Sequence, residues 1–357
     1  MRTLHITIPC DSSVHDAVLS INQNKSGIVM VVDSENRILG TVTDGDVRRI
    51  MLSGKGLECP VSEVLRMKKD SAYPNPVTVR VGTTPQKILL LMQEKAVHQI
   101  PVLDQDDRVV GLMVMDDLLP SVTGHGLEAV VMAGGAGTRL RPLTLDMPKP
   151  MLPIGDRPLL EVMIDRLKQS NIKNISISTN YLEEKIRDYF GDGAARDVNL
   201  RYLNEGQPLG TAGSLSLMDR PASTLLVMNG DILTSVDFQQ MLMFHREHKA
   251  KLTVAVRQYE INVPYGVIEF DGSHLLRLTE KPTYSFLVNA GIYLIEPEAW
   301  DVIPKNTHFN MTNLIESLKD SEHNVVGFPV WEYWLDIGQL ADYERAQRDV
   351  QNGTFQQ

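Results

Sequence analysis

Apolar and polar positions alternate in blocks along the 357 residues, and the blocks repeat early in the chain. Apolar runs of four to six residues, bounded by turn-formers, predict strands at Ala129 to Ala133, Ile175 to Thr179 and Leu225 to Met228. Between them, apolar residues recur at helical spacing over Leu159 to Gln169, Leu182 to Phe190 and Val236 to Lys249. That alternation predicts an α/β fold: a mixed, mostly parallel Rossmann-like sheet with helices on both faces and ligands at the C-terminal strand ends. Later apolar segments (Leu252 to Arg257, Val267 to Phe270, Leu275 to Glu280, Gly291 to Ile295) predict further strands, expected antiparallel and around a ligand site. The polar tail after Arg345, ending QNGTFQQ, is expected to fray.

The first third is an internal repeat. Residues 27 to 46, GIVMVVDSENRILGTVTDGD, align with 98 to 117, HQIPVLDQDDRVVGLMVMDD, at a constant offset, so that Asp33 falls on Asp104, Arg37 on Arg108, Gly40 on Gly111 and Asp46 on Asp117. Each copy predicts a helix (Ser13 to Asn22; Pro85 to Glu94), a strand, a polar turn, a second strand and a closing helix. The boundaries expected are 1–122 for this paired module, 123–126 for a linker of small and polar residues, and 127–357 for the larger domain.

Composition narrows the class. Charged residues make up 22% and hydrophobic residues 43%, with no apolar run near the ~18 residues a membrane helix needs. No apolar core followed by a cleavage site appears in MRTLHITIPCDSS, and two cysteines suit a reducing compartment, so a cytoplasmic protein is expected. A net charge of −10 argues against nucleic acid and anionic membranes as partners. Cations for any phosphorylated substrate must then be concentrated locally.

Residues 131 to 153, VMAGGAGTRLRPLTLDMPKPMLP, do that. A strand runs into a glycine-dense loop, followed by Arg139, Arg141 and Lys149; small residues let backbone N–H groups close on phosphate oxygens. A dinucleotide fingerprint fails, because Leu140 replaces the third glycine of G-x-G-x-x-G, and no Walker-type lysine follows the glycines. Asp231, after the Leu225 to Met228 strand, and Asp336, in WLDIGQLADY, are carboxylates at strand ends, suited to Mg²⁺ or to capping a helix. Gly210 and Thr211 open a helix through the small-residue run PLGTAG. His245 and His248 read as a solvated helix face without a third zinc ligand. Trp331, Tyr333 and Trp334 read as packing.

Taken together, Gly134 through Leu140 and Pro148, Lys149, Pro150 resemble the nucleotide loop and lysine turn of sugar-1-phosphate nucleotidyltransferases. The resemblance covers about residues 127 to 345. It implies catalytic roles for Arg139, Lys149, Asp231 and Lys281, and nucleotide contacts from Ala133, Gly134, Gly135, Gly137, Thr138, Gly210, Thr211 and Gly230. It further implies a sugar-phosphate site at Tyr265, Gly266, Glu280, Lys281 and Asn289, and Mg²⁺ on Asp231 and Asp336. The repeat resembles a tandem pair of CBS domains, implying a regulatory adenine or guanine nucleotide at Thr43, Asp46 and Asp117; Val114 replaces the second copy's hydroxyl residue. The combined architecture resembles guanylyltransferases acting on mannose-1-phosphate or glucosamine-1-phosphate in surface-glycan pathways, with GTP as the NTP and a homo-oligomeric assembly. The alternatives are a thymidylyl- or uridylyltransferase acting on glucose-1-phosphate, and a silent nucleotide-sensing subunit.

Overall fold

A computed structural model describes residues 3, 5–24, 26–70, 74–118 and 127–355. The chain separates into two compact units, Met1–Gly124 and His125–Gln357. The expected linker 123–126 lies outside the described residues.

In the first unit the repeat becomes two three-stranded sheets of the same plan. Thr7–Pro9, Ile28–Val32 and Ile38–Thr43 form one; Val79–Arg80, Gln99–Leu103 and Val109–Val114 form the other. In both, a parallel pair is followed by a hairpin. Asp33 and Asp104 explain why the turns match: each carboxylate accepts from the amides two and four residues on, at 2.9 Å. The two copies meet at these turns. Arg37 and Arg108, equivalent in the repeat, face each other in an antiparallel bridge; across the same seam Asn36 Nδ2 donates to the Val109 carbonyl, and the Val109 amide donates to the Asn36 carbonyl. Ile28, Met30, Leu112 and Val114 make a shared apolar core beneath it. The expected helices are Val14–Asn24 and Pro85–Glu94; the closing helix forms in the first copy (Asp44–Leu52), and in the second copy the described residues carry a 3-10 turn at Met115–Asp117, those after Leu118 lying outside the described residues. An additional helix, Val61–Met67, has no counterpart in the sequence reading.

The second unit is built on a seven-stranded sheet. In spatial order its strands are Asn199–Asn204, Asn174–Thr179, Glu128–Met132, Leu225–Asn229, Thr283–Ile295, Leu252–Asn262 and Val325–Val330. All are parallel except Thr283–Ile295. The chain winds outward from Glu128–Met132 through two strands, then returns to its other side with Leu225–Asn229, which makes a topological switch point between those two strands. Successive strand residues feed opposite layers: Ala129, Val131, Leu226 and Met228 pack under Leu159–Gln169 and Phe238–Glu247, whereas Val130, Leu225 and Val227 pack under Met311–Asp320.

Of the expected antiparallel strands, Thr283–Ile295 is inserted within the sheet, and Val267–Asp271 with His274–Thr279 forms a separate hairpin. Two expectations need correction here. The tail does not fray through residue 355: Leu340–Gln351 is helical, and Phe355 is buried against Tyr333 with the Arg166 guanidinium over its ring. Burial of one Phe side chain is worth about 1.5–3 kcal/mol, enough to hold a short segment down. Finally, His245 is not on a solvated face. It is 1% exposed, with Nδ1 2.7 Å from Thr253 Oγ1 and Nε2 2.9 Å from Glu296 Oε1.

That burial pushes the His245 imidazole below its ordinary value, with Glu296 opposing. Unfolded chain takes up a proton near pH ~6.5, while the folded one resists it, so the unfolded state binds more protons just below that pH. Stability should therefore fall as pH drops below about 6.5. Urea denaturation at neutral and mildly acidic pH should show a shallower loss in His245→Gln; equal slopes would remove His245 from the account.

Candidate active site

The glycine loop and Asp231 leave neighbouring parallel strands at the switch point. Met132 is in register with Asn229, and the Gly230 amide donates to the Met132 carbonyl at 2.8 Å, tying the two exits together. Gly134 through Gly137 carry no regular structure, and Thr138–Leu140 forms a 3-10 turn anchored by Leu140 in the core. Gly137 has φ +59°, and a Cβ there would meet Lys149 Cβ and Thr144 Cγ2 at 3.0 Å. Only glycine suits that turn. Ala133 is buried, and its amide extends the sheet by donating to Ser178.

Lys149 heads a second 3-10 turn between two prolines and is itself buried, with Nζ 2.5 Å from Asp231 Oδ2. The Ile232–Thr234 strand pairs antiparallel with Trp334–Asp336, setting Ile232 opposite Asp336, while the Ile337 amide donates to the Asp231 carbonyl. Two aspartates separated by a hundred residues are thus placed side by side. Arg139 completes the group: a Cβ built on Gly338 would lie 3.6 Å from Arg139 Nη1 and 3.7 Å from Asp336 Oδ1. Asp336 keeps solvent contact, yet the protein around it and then the Asp231 charge raise its proton affinity above the carboxylate norm, against Lys149 and Arg139.

This arrangement suits a cation. Among the described residues Asp231 Oδ1 is buried without a hydrogen-bond partner, and the repulsion that the Asp231 charge exerts on Asp336 would be relieved by a hard divalent ion. Among the described residues no cluster of three or more His, Cys, Asp or Glu could hold a metal, so two protein ligands are what the cleft offers. Oxygens of bound phosphates would complete such a shell.

The expected nucleotide segment at Gly210 and Thr211 is a single helical turn, Gly210–Gly213, packed against the start of Met311–Asp320. Thr211 Oγ1 accepts from the Met311 amide at 2.9 Å. Glu205 was missed by the sequence reading. Its buried carboxylate accepts from Ser178 Oγ and, at 2.9 Å, from the Leu209 amide, and Asn180 donates to its carbonyl. It connects the strand beside the phosphate loop to the turn that opens PLGTAG. Its signal was an acid directly after the Asn199–Asn204 strand and directly before Gly206, with Pro208 three residues on.

The expected sugar-phosphate residues fall in two places. Tyr265, Gly266, Glu280 and Lys281 gather at the base of the exposed hairpin, where Lys281 N–H donates to the Tyr265 carbonyl and Glu280 Oε2 comes within 3.0 Å of a Cβ at Gly266. Asn289 lies nearer the aspartates: its Oδ1 accepts from the Gly291 amide, and a Cβ on Gly291 (φ +70°) would strike Asn229 Nδ2 at 2.7 Å. Among the described residues no hydrogen bond or ion pair joins Tyr265, Glu280 or Lys281 to the Lys149–Asp231 group.

In the first unit, Thr43 and Asp46 turn to each other. They cap Asp44–Leu52 reciprocally, and Asp46, 2% exposed, also receives Lys68 at 2.9 Å and Arg49 at 2.6 Å. Burial opposes its ionisation, but Lys68 and Arg49 outweigh that and hold its carboxyl below the ordinary range. Beside it lies a cleft of about 450 Å³ lined by Gly40, Thr41, Leu65, Arg66, Lys68 and Lys69. Asp117 is exposed at the end of its 3-10 turn.

The family model for nucleotidyl transferases matches residues 128–353, and the CBS domain model matches residues 1–53 and 61–124. A mannose-1-phosphate guanylyltransferase of Mycobacterium tuberculosis is 33% identical over 237 residues, 64% of this chain and 66% of that protein. A UTP–glucose-1-phosphate uridylyltransferase of Synechocystis is 33% identical over 250 residues, 63% of each chain. The chain thus spans just under two thirds of the length of these relatives. Among solved structures, a Bacillus anthracis protein assigned as a glucose-1-phosphate thymidylyltransferase superposes with a TM-score of 0.53 at 22% identity, covering 65% of this chain and 98% of that one, which establishes a shared fold.

Proposed function

The chain belongs to the nucleotidyl transferase family and carries two CBS domains in its first third, and from this premise we propose that it joins an NTP to a sugar-1-phosphate, releasing pyrophosphate. The observation that carries the reading is the convergence of Arg139, Lys149, Asp231 and Asp336 on the mouth of a glycine loop at the switch point. Nucleophile generation is not the obstacle for such a reaction, since a phosphate monoester has its second pKa near ~6 and is largely dianionic at neutral pH. The barrier is repulsion between two polyanions. The glycine-loop amides and Arg139 would hold the β- and γ-phosphates and stabilise departing pyrophosphate; Lys149 would face the α-phosphate; Lys281 would bind the sugar phosphate. Mg²⁺ on Asp231 and Asp336 would supply charge neutralisation between the two substrates.

GTP is the proposed nucleotide and mannose- or glucosamine-1-phosphate the proposed acceptor, in cytoplasmic synthesis of a nucleotide sugar for surface glycans. Guanylyl- and uridylyltransferases stand side by side among the relatives, so the base rests on the two-module architecture. A pyrophosphate-release assay of four NTPs against a panel of sugar-1-phosphates should give its highest kcat/KM with GTP. Preference for UTP or dTTP with glucose-1-phosphate would replace the base and sugar, and no product from any pair would leave a nucleotide-sensing subunit.

We further propose that the cleft beside Lys68 takes a regulatory adenine or guanine nucleotide. Thr43 and Asp46 are engaged in the helix cap, and Asp46 meets the cleft through its ion pair with Lys68, which makes Lys68 and Arg66, both in the cleft lining, the groups for its phosphates. Calorimetry of the full chain with AMP, ATP and GMP should show heat that Lys68→Ala abolishes.

A further inference from the structure

Past Arg257 the Leu252–Asn262 strand leaves the main sheet. Its parallel neighbour Val325–Val330 pairs only with Leu252 through Arg257, and beyond that point its described strand partner is Thr283–Ile295. Where they leave, the register breaks: Val254 faces Tyr293 but Val256 faces Asn289. The pairing then runs on through Val263 N–H to Pro282 O and Lys281 N–H to Tyr265 O into the Val267–Asp271/His274–Thr279 hairpin. Residues 258–287 are therefore one long two-stranded arm.

Directly opposed residues of an antiparallel pair share a face, so the register sorts the arm's side chains. In the basal half Tyr259 faces Phe286 and Ile261 faces Tyr284, while Glu260 with Ser285 and Asn262 with Thr283 occupy the other side. The distal half repeats the division: Ile268 faces Leu278 and Phe270 faces Leu275, against Glu269 with Arg277 and Asp271 with His274. Each half has an apolar side and a mostly polar one, the exposed Leu287 opposite Gln258 being the exception in the basal half. Yet the eight residues of the apolar sides are 40 to 60% exposed.

A lone two-stranded ribbon is marginally stable in water, so an apolar face of this kind needs a cover. Eight side chains of ~150–200 Å² at about half exposure leave roughly 700 Å² in water. That exceeds the ~300–600 Å² patch of a typical monomer and approaches the ~800 Å² each partner gives to a standard interface. Acids (Glu260, Glu269, Asp271, Glu280) outnumber the arm's cations Arg277 and Lys281, and the chain carries −10 overall, which disfavours an anionic membrane. An uncharged face matches itself, as a two-fold contact requires.

We propose that the arm is the docking surface for the arm of a second copy of this chain, apolar side to apolar side. Sedimentation of the full chain from about 1 to 100 µM should give an even multiple of the 40.0 kDa chain mass. Phe270→Lys/Leu278→Lys should halve the wild-type mass while keeping its circular dichroism. If that pair fails to fold, Tyr259→Lys/Phe286→Lys in the basal half carries the same expectation. A folded double variant with the wild-type mass overturns the proposal. So does a wild-type chain that sediments at one chain's mass throughout the range, whichever other molecule then covers the arm.

Discussion

Lys149→Ala should lower kcat at least ~100-fold, the effect of losing one preorganised charge-stabilising group worth about 2.7 kcal/mol or more. Lys149 is buried beneath the glycine loop, its stem against Gly137 and its Nζ on Asp231, so a cation here works where water screens little. Asp231→Asn should cost a similar factor by a different route. It keeps the shape and removes the charge that faces both Lys149 and the site's second carboxylate. The two effects should not add, since the side chains share one ion pair: the double variant is expected close to the worse single variant. Steady-state pyrophosphate release, with melting temperature as the control for folding, measures all three. Turnover near wild type in either single variant would take that residue out of the reaction.

Much of this site was legible because local signals coincided with strand ends. The run AGGAGTRL announces a turn with phosphate-sized space, and NGD after an apolar run announces a carboxylate at a strand tip. That these two strands are neighbours comes from the sheet order, since the α/β alternation carried only the expectation of ligands at C-terminal strand ends. What periodicity could not give was pairing at long range. Asp336 reaches Asp231 only because Trp334–Asp336 pairs with Ile232–Thr234, two three-residue strands too short to carry a period. The same is true of the antiparallel strand inside the sheet: Gly291 to Ile295 reads as a strand, but nothing local says which neighbours it takes. His245 was misread for a related reason. A histidine between charged residues looks solvated until Glu296 and Thr253, distant in sequence, are brought to its two nitrogens. The sugar-phosphate residues were legible as motifs and not as one place: Tyr265, Glu280 and Lys281 gather at the base of the hairpin, whereas Asn289 sits in the sheet beside Gly291.

In the first unit, Asp44→Ala should destabilise the paired module by about 3 kcal/mol, the cost of breaking one side of a buried ion pair. Arg48 has no exposed surface, and its guanidinium meets Asp44 in a two-point contact, Nε to Oδ2 at 2.6 Å and Nη2 to Oδ1 at 3.0 Å. Both residues lie on one helix, four positions apart, with the acid in the first turn where the dipole favours it. Spacing alone would rank this as a surface pair worth a few tenths of a kcal/mol; burial changes the order of magnitude, because Asp44→Ala keeps the desolvated guanidinium and deletes its carboxylate. In scanning calorimetry of the full chain the transition of this unit should move down by on the order of 10 °C, with the transition of the second unit unchanged. Replacing both partners, Asp44→Leu with Arg48→Met, should recover most of the loss, since an apolar pair of similar volume carries no uncompensated charge. A single variant that melts with the wild type would mean that Arg48 keeps enough other contacts to do without the acid.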